Sequence, residues 1–232
     1  MPKVFALVLA AGQGTRIGDP VPKQYIPLAG KPMMFHSIEA LAAVSRVERV
    51  FVVLAPLDRH WGAHDWSALP EKVEAAFCGG AHRAESVLNA LAHLQSRIGA
   101  DDWVMVHDAA RPCIMTELVE QFLDEVGEDA VGGLLAMPLS DTLKRGDEDQ
   151  RVAQTVPRAG LWRAQTPQLF RYAILRKGLE KNPKATDESE AVESLGHAPR
   201  LAEGENSNIK VTFAEDIEMA ELILRHKGRI PL

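Results

Sequence analysis

The sequence predicts an α/β fold with a mostly parallel central sheet and one β-arm projecting from it, on three observations. Continuous apolar runs at residues 4–9, 50–55, 103–106 and 131–137 read as strands buried on both faces. Segments with helical periodicity fall between them, the alternation of a βαβ chain. From residue 138 to about 163 that alternation breaks, and two polar, β-like segments flank the turn GDEDQ (residues 146–150).

The first strand, residues 4–9, runs straight into Ala10-Ala11-Gly12-Gln13-Gly14-Thr15-Arg16. Small residues there leave backbone N–H groups bare at the end of a sheet, where they can cradle phosphate oxygens. Two cations follow, Arg16 and Lys23, in a loop kept extended by Pro20, Pro22 and Pro27. The stretch is not a dinucleotide fingerprint, because Gly18 comes one residue late and prolines interrupt the helix that should follow. Nor is it a P-loop, since Gly30-Lys31 is followed by Pro32 instead of Ser or Thr. An anion site is the functional reading, and a glycine-rich turn with surface charges the alternative. The next helix is expected to open at Pro32, with Met34, Ile38 and Leu41 on one face and Ala42 beside them.

Residues 50–55 (VFVVLA) are β-branched enough for a central parallel strand. Residues 57–70 read as irregular surface, and His60 and His64 lack a third metal ligand nearby in sequence. A short strand at residues 73–78 ends in Gly79-Gly80, which lets backbone approach a flat ligand such as a base. In HRAESVLNALAHL, Ala84, Val87, Leu88, Leu91 and Leu94 follow an amphipathic helical pattern, with Arg83 and Ser86 in the first turn. A plain strand–helix connection is the equal alternative.

The strand at residues 103–106 ends in His107-Asp108-Ala109-Ala110-Arg111-Pro112. Open α/β sheets carry their ligand chemistry at the carboxyl ends of such strands. Asp108 is therefore a candidate for Mg²⁺ or a substrate hydroxyl and Arg111 for an anion, against a plain Asp–Arg ion pair. Thr116 is expected to cap the next helix, with Glu117 near its positive end. After the strand at residues 131–137, residues 141–145 and 151–156 form the hairpin, too polar for the core. Farther on, Asp187 with Glu190 resembles a capped helix start, Gly196 a helix end and residues 201–203 a short strand. Residues 208–212 read as a strand bearing Lys210, with Thr212 and Glu215 as a capping box for the last helix. Along that helix Ile217, Ala220, Glu221 and Leu224 give a mixed face.

Composition narrows the class. A chain of 232 residues has room for one large α/β domain, expected over 1–232 with the arm at about 138–163. A net charge of −6 argues against nucleic acid as partner. No apolar run approaches the ~20 residues of a membrane span, and the first strand leaves no room for a signal peptide. Cys78 and Cys113 are too few for a disulfide framework or a zinc site. The expectation is a cytoplasmic protein with neither membrane nor nucleic-acid partner.

LVLAAGQGTR, PKQY, GGAHRAESV, VHDAARP, DTLK, TVPRAGLW, QTPQ, TDE and NIKVT follow one another in the order found in 2-C-methyl-D-erythritol 4-phosphate cytidylyltransferases, and the chain resembles that family from residue 4 to about 224. The resemblance implies a Rossmann-like nucleotidyltransferase domain whose β-arm embraces a second subunit in a homodimer. It implies an enzyme of the non-mevalonate isoprenoid pathway that joins CTP to methylerythritol phosphate and releases pyrophosphate, with Mg²⁺ or another divalent cation. By this resemblance Arg16, Lys23, Arg158 and Lys210 are catalytic, and Ala10, Ala11, Gly12, Gly14, Gly79, Gly80, Arg83 and Ser86 bind the nucleotide. Asp108, Arg111, Thr142, Arg158 and Lys210 contact the sugar phosphate, Thr142 and Arg158 reach over from the partner, and Asp108 also touches the metal. Leu9 stands where some members carry proline. The chain is expected to lack the cyclodiphosphate synthase domain fused in some relatives. Enzymes that make CDP-ribitol share most of these motifs and are the alternative. A catalytically silent nucleotide-binding regulator would not need all four cations.

Overall fold

The structure is a computed structural model that describes residues 2–12 and 21–231. Its centre is β1 (Val4–Leu9), an apolar strand that pairs in parallel with β4 (Val47–Val53) on one side and β6 (Trp103–Asp108) on the other. Leu9 stands opposite both Val53 and Asp108, so the three strands end level and their following loops converge. Parallel to β4 lies β5 (Val73–Ala76). Beyond β6 comes β10 (Trp162–Arg171), antiparallel to β6 and to β7 (Gly132–Pro138), and β11 (Arg200–Glu203) closes that edge parallel to β7. The seven strands run β11-β7-β10-β6-β1-β4-β5, with β10 alone reversed.

Alternate residues of each strand face opposite layers, as the pleat requires. Val4, Ala6 and Val8 pack with Met34, Ile38 and Leu41 of α1 (Met33–Ala43) and with Val119 and Phe122 of α3 (Thr116–Val126). Phe5 and Leu7 face the other way. They meet Val87 and Leu91 of α2 (Arg83–His93), Leu175 of α4 (Tyr172–Lys181) and Val192 of α5 (Glu188–Glu193). The last helix, α6 (Glu215–His226), buries Ala220 and Leu224 against Leu28, Met33 and Val211. A small ladder of β2 (Pro27–Leu28) and β3 (Lys31–Pro32) precedes α1. The arm is a polar hairpin, β8 (Leu143–Gly146) with β9 (Val152–Val156), almost wholly exposed.

Several local expectations need correction. Pro32 is paired with Pro27 and extended, so α1 starts one residue later. Thr116 is the first residue of α3 and its hydroxyl does not cap; it donates to the Ala40 carbonyl of α1 at 3.1 Å. Residues 208–212 are not a strand: the segment has no neighbouring ladder, and Val211 N–H donates to the Ala110 carbonyl at 2.8 Å instead. The final helix has no capping box with Thr212, because the Asp216 carboxylate takes the N–H groups of Thr212 (2.7 Å) and Phe213 (2.8 Å). The start of α5 is as expected, the Asp187 carboxylate accepting from Glu190 N–H at 2.9 Å. That helix ends at Glu193, ahead of Gly196. Both β10 and α4 escaped the sequence reading.

Candidate active site

The converging strand ends bound a cavity of about 770 Å³. Ala10, Ala11 and Gly12 line one side of it, Gly80, Arg83 and Ser86 another, and Lys23, Asp108 and Lys210 complete it. The loops are tied together by backbone: Ala10 N–H donates to Val53, Ala109 N–H to Leu9 and Gly79 N–H to Leu54, all at 2.8–3.1 Å. The Gln24 amide donates to the Ala10 carbonyl at 2.6 Å from a buried position, which fixes the loop after β1. Ser86 is buried, and its hydroxyl accepts the Gly80 N–H at 3.0 Å, holding the turn that opens α2. Gly79 stands behind the lining: a Cβ there would lie 2.3 Å from the Ala11 Cβ and 2.9 Å from the Leu54 oxygen. Close packing of two loops, not contact with the cavity, is what requires glycine.

The charged groups form one chain of alternating sign. Glu188 grips Arg83 with both oxygens, at 2.5 and 3.0 Å; Arg83 Nε donates to Asp108 at 3.1 Å; and Lys210 Nζ donates to the other Asp108 oxygen at 2.6 Å. Burial alone would raise the Asp108 carboxyl, but Arg83 and Lys210 outweigh it and hold it well below the usual carboxylate range. Burial also works against the Arg83 charge, and Glu188 and Asp108 more than reverse it, so its pKa stands above the ordinary arginine value. Lys23, in the turn after Pro22, donates through Nζ to the Val211 carbonyl at 2.7 Å. That carbonyl adjoins Lys210, so one loop holds both lysines to the cavity.

The stretch Gln165-Thr166-Pro167-Gln168 ties these parts together. The ladder from β10 to β7 is irregular between Ala164 and Gln168, where Pro167 has no N–H to give. The Thr166 hydroxyl accepts Asp108 N–H and contacts His107 Nδ1, both at 3.1 Å, while Gln168 bonds the start of α5 through Asp187 and Ser189. Asn208, also buried, donates to the Thr166 carbonyl at 2.9 Å and the Gln165 side chain at 3.3 Å. None of Glu188, Gln165, Thr166, Gln168 or Asn208 stood among the candidate residues. The TDE, QTPQ and NIKVT motifs were their only signal.

Other expected residues lie elsewhere. Arg111 does not line the cavity; its guanidinium donates to the Asn208 carbonyl at 2.7 Å and the Ala164 carbonyl at 3.4 Å. Its Nε is buried with no partner among the described residues. Thr142 and Arg158 are exposed on the arm, outside the cavity lining, with Arg158 donating to the Ser140 carbonyl. Gly14 and Arg16 lie outside the described residues. His60 and His64 pack on the Tyr25 ring, with centroids 5.2 and 5.4 Å away. The described residues hold no cluster of three potential metal ligands. Asp108, the one carboxylate among the described residues that line the cavity, fits a magnesium ion whose other ligands are phosphate oxygens and water.

The family profile of 2-C-methyl-D-erythritol 4-phosphate cytidylyltransferase matches residues 4–226. The chain is 51% identical over 225 residues to the 2-C-methyl-D-erythritol 4-phosphate cytidylyltransferase of Dechloromonas aromatica (strain RCB), covering 97% of this chain and 99% of that one. It is 50% identical over 231 residues to the protein of the same name from Nitrosomonas eutropha (strain DSM 101675 / C91 / Nm57), covering 98% and 99%. Among solved structures, that of a 4-diphosphocytidyl-2C-methyl-D-erythritol synthase superposes with a TM-score of 0.86 at 34% identity, over 97% of this chain and 99% of that one. The Francisella tularensis 2-C-methyl-D-erythritol 4-phosphate cytidylyltransferase gives a TM-score of 0.81 at 31% identity, over 96% and 100%. This chain belongs to the 2-C-methyl-D-erythritol 4-phosphate cytidylyltransferase family.

Proposed function

We propose that this protein is the enzyme that transfers the cytidylyl group of CTP to 2-C-methyl-D-erythritol 4-phosphate. The products are 4-diphosphocytidyl-2-C-methyl-D-erythritol and pyrophosphate, in the non-mevalonate route to isoprenoid precursors. The observation that carries this reading is the family match over residues 4–226. The cavity agrees with it, since bare backbone from two glycine-rich loops and the cations Lys23, Arg83 and Lys210 surround one space.

In this reaction an oxygen of the sugar phosphate attacks the α-phosphorus of CTP, and the bond to pyrophosphate breaks. A phosphate is already an anion near neutral pH, so no side chain has to remove a proton. What opposes the reaction is charge, about six negative charges brought together, and cations that neutralise them in an in-line geometry are the catalyst. We assign Lys23 and Arg16 to the triphosphate, and Ala10, Ala11, Gly12, Gly14, Gly80, Arg83 and Ser86 to cytidine and its phosphates. Gly79 supports that pocket from behind. Lys210 and Asp108 are assigned to the sugar phosphate, Arg111 to holding the 208–212 loop that carries Lys210. Mg²⁺, held chiefly by CTP phosphates with Asp108 as the protein's carboxylate, supplies further charge neutralisation.

Thr142 and Arg158 act in trans on this reading, reaching the site of a second copy as part of a homodimer. Two features support that assignment: the hairpin covers no core of its own, and Leu143, Val152, Leu161 and Trp162 are exposed on or beside it. A lone two-stranded hairpin is marginal in water. We further read residues 1–232 as one nucleotidyltransferase domain with the arm at about 138–163. No helix of the described residues is long and apolar enough to cross a membrane, and a cytoplasmic location is proposed with it. The test is pyrophosphate release from CTP and Mg²⁺ with methylerythritol 4-phosphate or ribitol 5-phosphate as acceptor. Release with the former alone is the expected result. Preference for ribitol 5-phosphate, or release with neither, would refute the assignment.

A further inference from the structure

We propose that Glu188 is a positioning residue for CTP: its two-oxygen clamp on Arg83 sets where that guanidinium stands at the cavity wall. The inference rests on the reading of the cavity as the CTP site. Glu188 does not line the cavity and has no exposed surface, and both of its oxygens are committed to Arg83, 105 positions away in sequence. Stability alone is a poor reason to keep such a pair, since an apolar replacement of similar volume is often neutral or stabilising.

The geometry points to placement instead. Glu188 is the first residue of α5, and the residues on both sides of it are fixed to β10. Gln168 donates to the Asp187 carboxylate at 3.0 Å and accepts Ser189 N–H at 2.9 Å. A buried strand thus anchors the carboxylate, and the carboxylate anchors the arginine. An arginine has five N–H donors; Glu188 takes one from each terminal nitrogen and Asp108 takes Nε, so two remain for an anion in the cavity. Without Glu188 the guanidinium is free to swing, and the two donors it holds toward the cavity leave their place at the nucleotide.

The experiment is steady-state kinetics on Glu188→Gln, which keeps the volume and one acceptor but loses the charge and the second acceptor. KM for CTP should rise roughly tenfold, while KM for the sugar phosphate changes less than about twofold. In an Arg83→Lys background, adding Glu188→Gln should raise KM for CTP by less than about twofold more, because the residue acts through Arg83. Glu188→Asp, with the charge kept at shorter reach, should fall between wild type and Glu188→Gln. Thermal melts separate placement from support: a lowered Tm with unchanged kinetic constants for folded Glu188→Gln overturns the proposal. Should Glu188→Gln fail to fold, Glu188→Asp decides, and a KM for CTP within about twofold of wild type overturns it. An inactive wild type would instead refute the functional reading itself.

Discussion

His107 follows the apolar run of β6 and is fully buried beside Asp108. Its Nε2 meets the Arg111 carbonyl at 3.2 Å and its Nδ1 the Thr166 hydroxyl at 3.1 Å. Neutral imidazole satisfies both contacts with Nε2–H donating to the carbonyl and Nδ1 accepting from the hydroxyl. Burial pushes its pKa down to about 4. Between about pH 6.5 and 4 the unfolded chain therefore binds a proton that the folded chain refuses, and stability is lost as pH falls. His36, also lowered by burial, acts in the same direction, while Glu188, raised by burial, acts in the opposite one. Comparing wild type with His107→Asn isolates the one histidine. Its contribution to urea stability should fall by about 1.5 kcal/mol from pH 6.5 to pH 5 in the wild type and vanish in the variant. Equal pH dependence in the two proteins would refute the assignment. At this scale the sequence pointed to groups that line the cavity, Gly12, Gly80, Arg83, Asp108 and Lys210, because they stand where strands end or in a short apolar segment. It did not reveal Glu188, Thr166, Gln168 or Asn208. Such residues act only on other residues, and their partners lie far off in sequence.

At the scale of elements, the packing of the loops after β1, β4 and β5 decides whether the cavity exists. Gly79 lets these loops meet, since its position leaves 2.3 Å between a new Cβ and the Cβ of Ala11. Gly79→Ala should therefore cost about 1–3 kcal/mol in urea unfolding, the range for overpacking. It should also weaken CTP binding in calorimetry, because Ala11 lines the cavity and must move. A variant matching wild type in both would mean that the loops yield without consequence. Apolar runs made β1, β4, β6 and β7 legible, and helical periodicity did the same for α2. By contrast, β10 carries Gln165, Thr166, Pro167 and Gln168 in its middle, polar residues and a proline that argue against a central strand. The irregular pairing there both admits the proline and presents polar groups to the site. Residues 208–212 misled for the reverse reason: apolar enough for a strand, they are held by the side chains of Lys23 and Arg111 and by the Asn208 amide donating to the Thr166 carbonyl, not by a ladder.

For the whole molecule, the alternation of apolar strands and helices was enough to expect a mostly parallel sheet, and six of the seven strands share one direction. The arm was legible because it is too polar to be core. Neither Thr142 nor Arg158 lines the cavity of its own chain, which is why the arm is proposed to serve a second copy. If the arm completes the site of a second copy, Lys23 and Arg158 of one site belong to different chains. Lys23→Ala alone should lose at least ~100-fold in turnover, the scale of one lost transition-state charge contact. Arg158→Ala should chiefly impair use of the sugar phosphate. Mixed, the two impaired proteins should regain activity after subunit exchange. A mixed dimer has one site missing both residues and one site with Lys23 from one chain and Arg158 from the other. Random pairing makes half the dimers mixed, so roughly a quarter of wild-type sites should return. Were Arg158 to serve its own chain, each site would keep one lesion in every pairing, and mixing would restore nothing. Sedimentation at the assay concentration checks that the chains pair at all. Recovery near a quarter would establish a shared site, and no recovery from paired, exchanging chains would reject it.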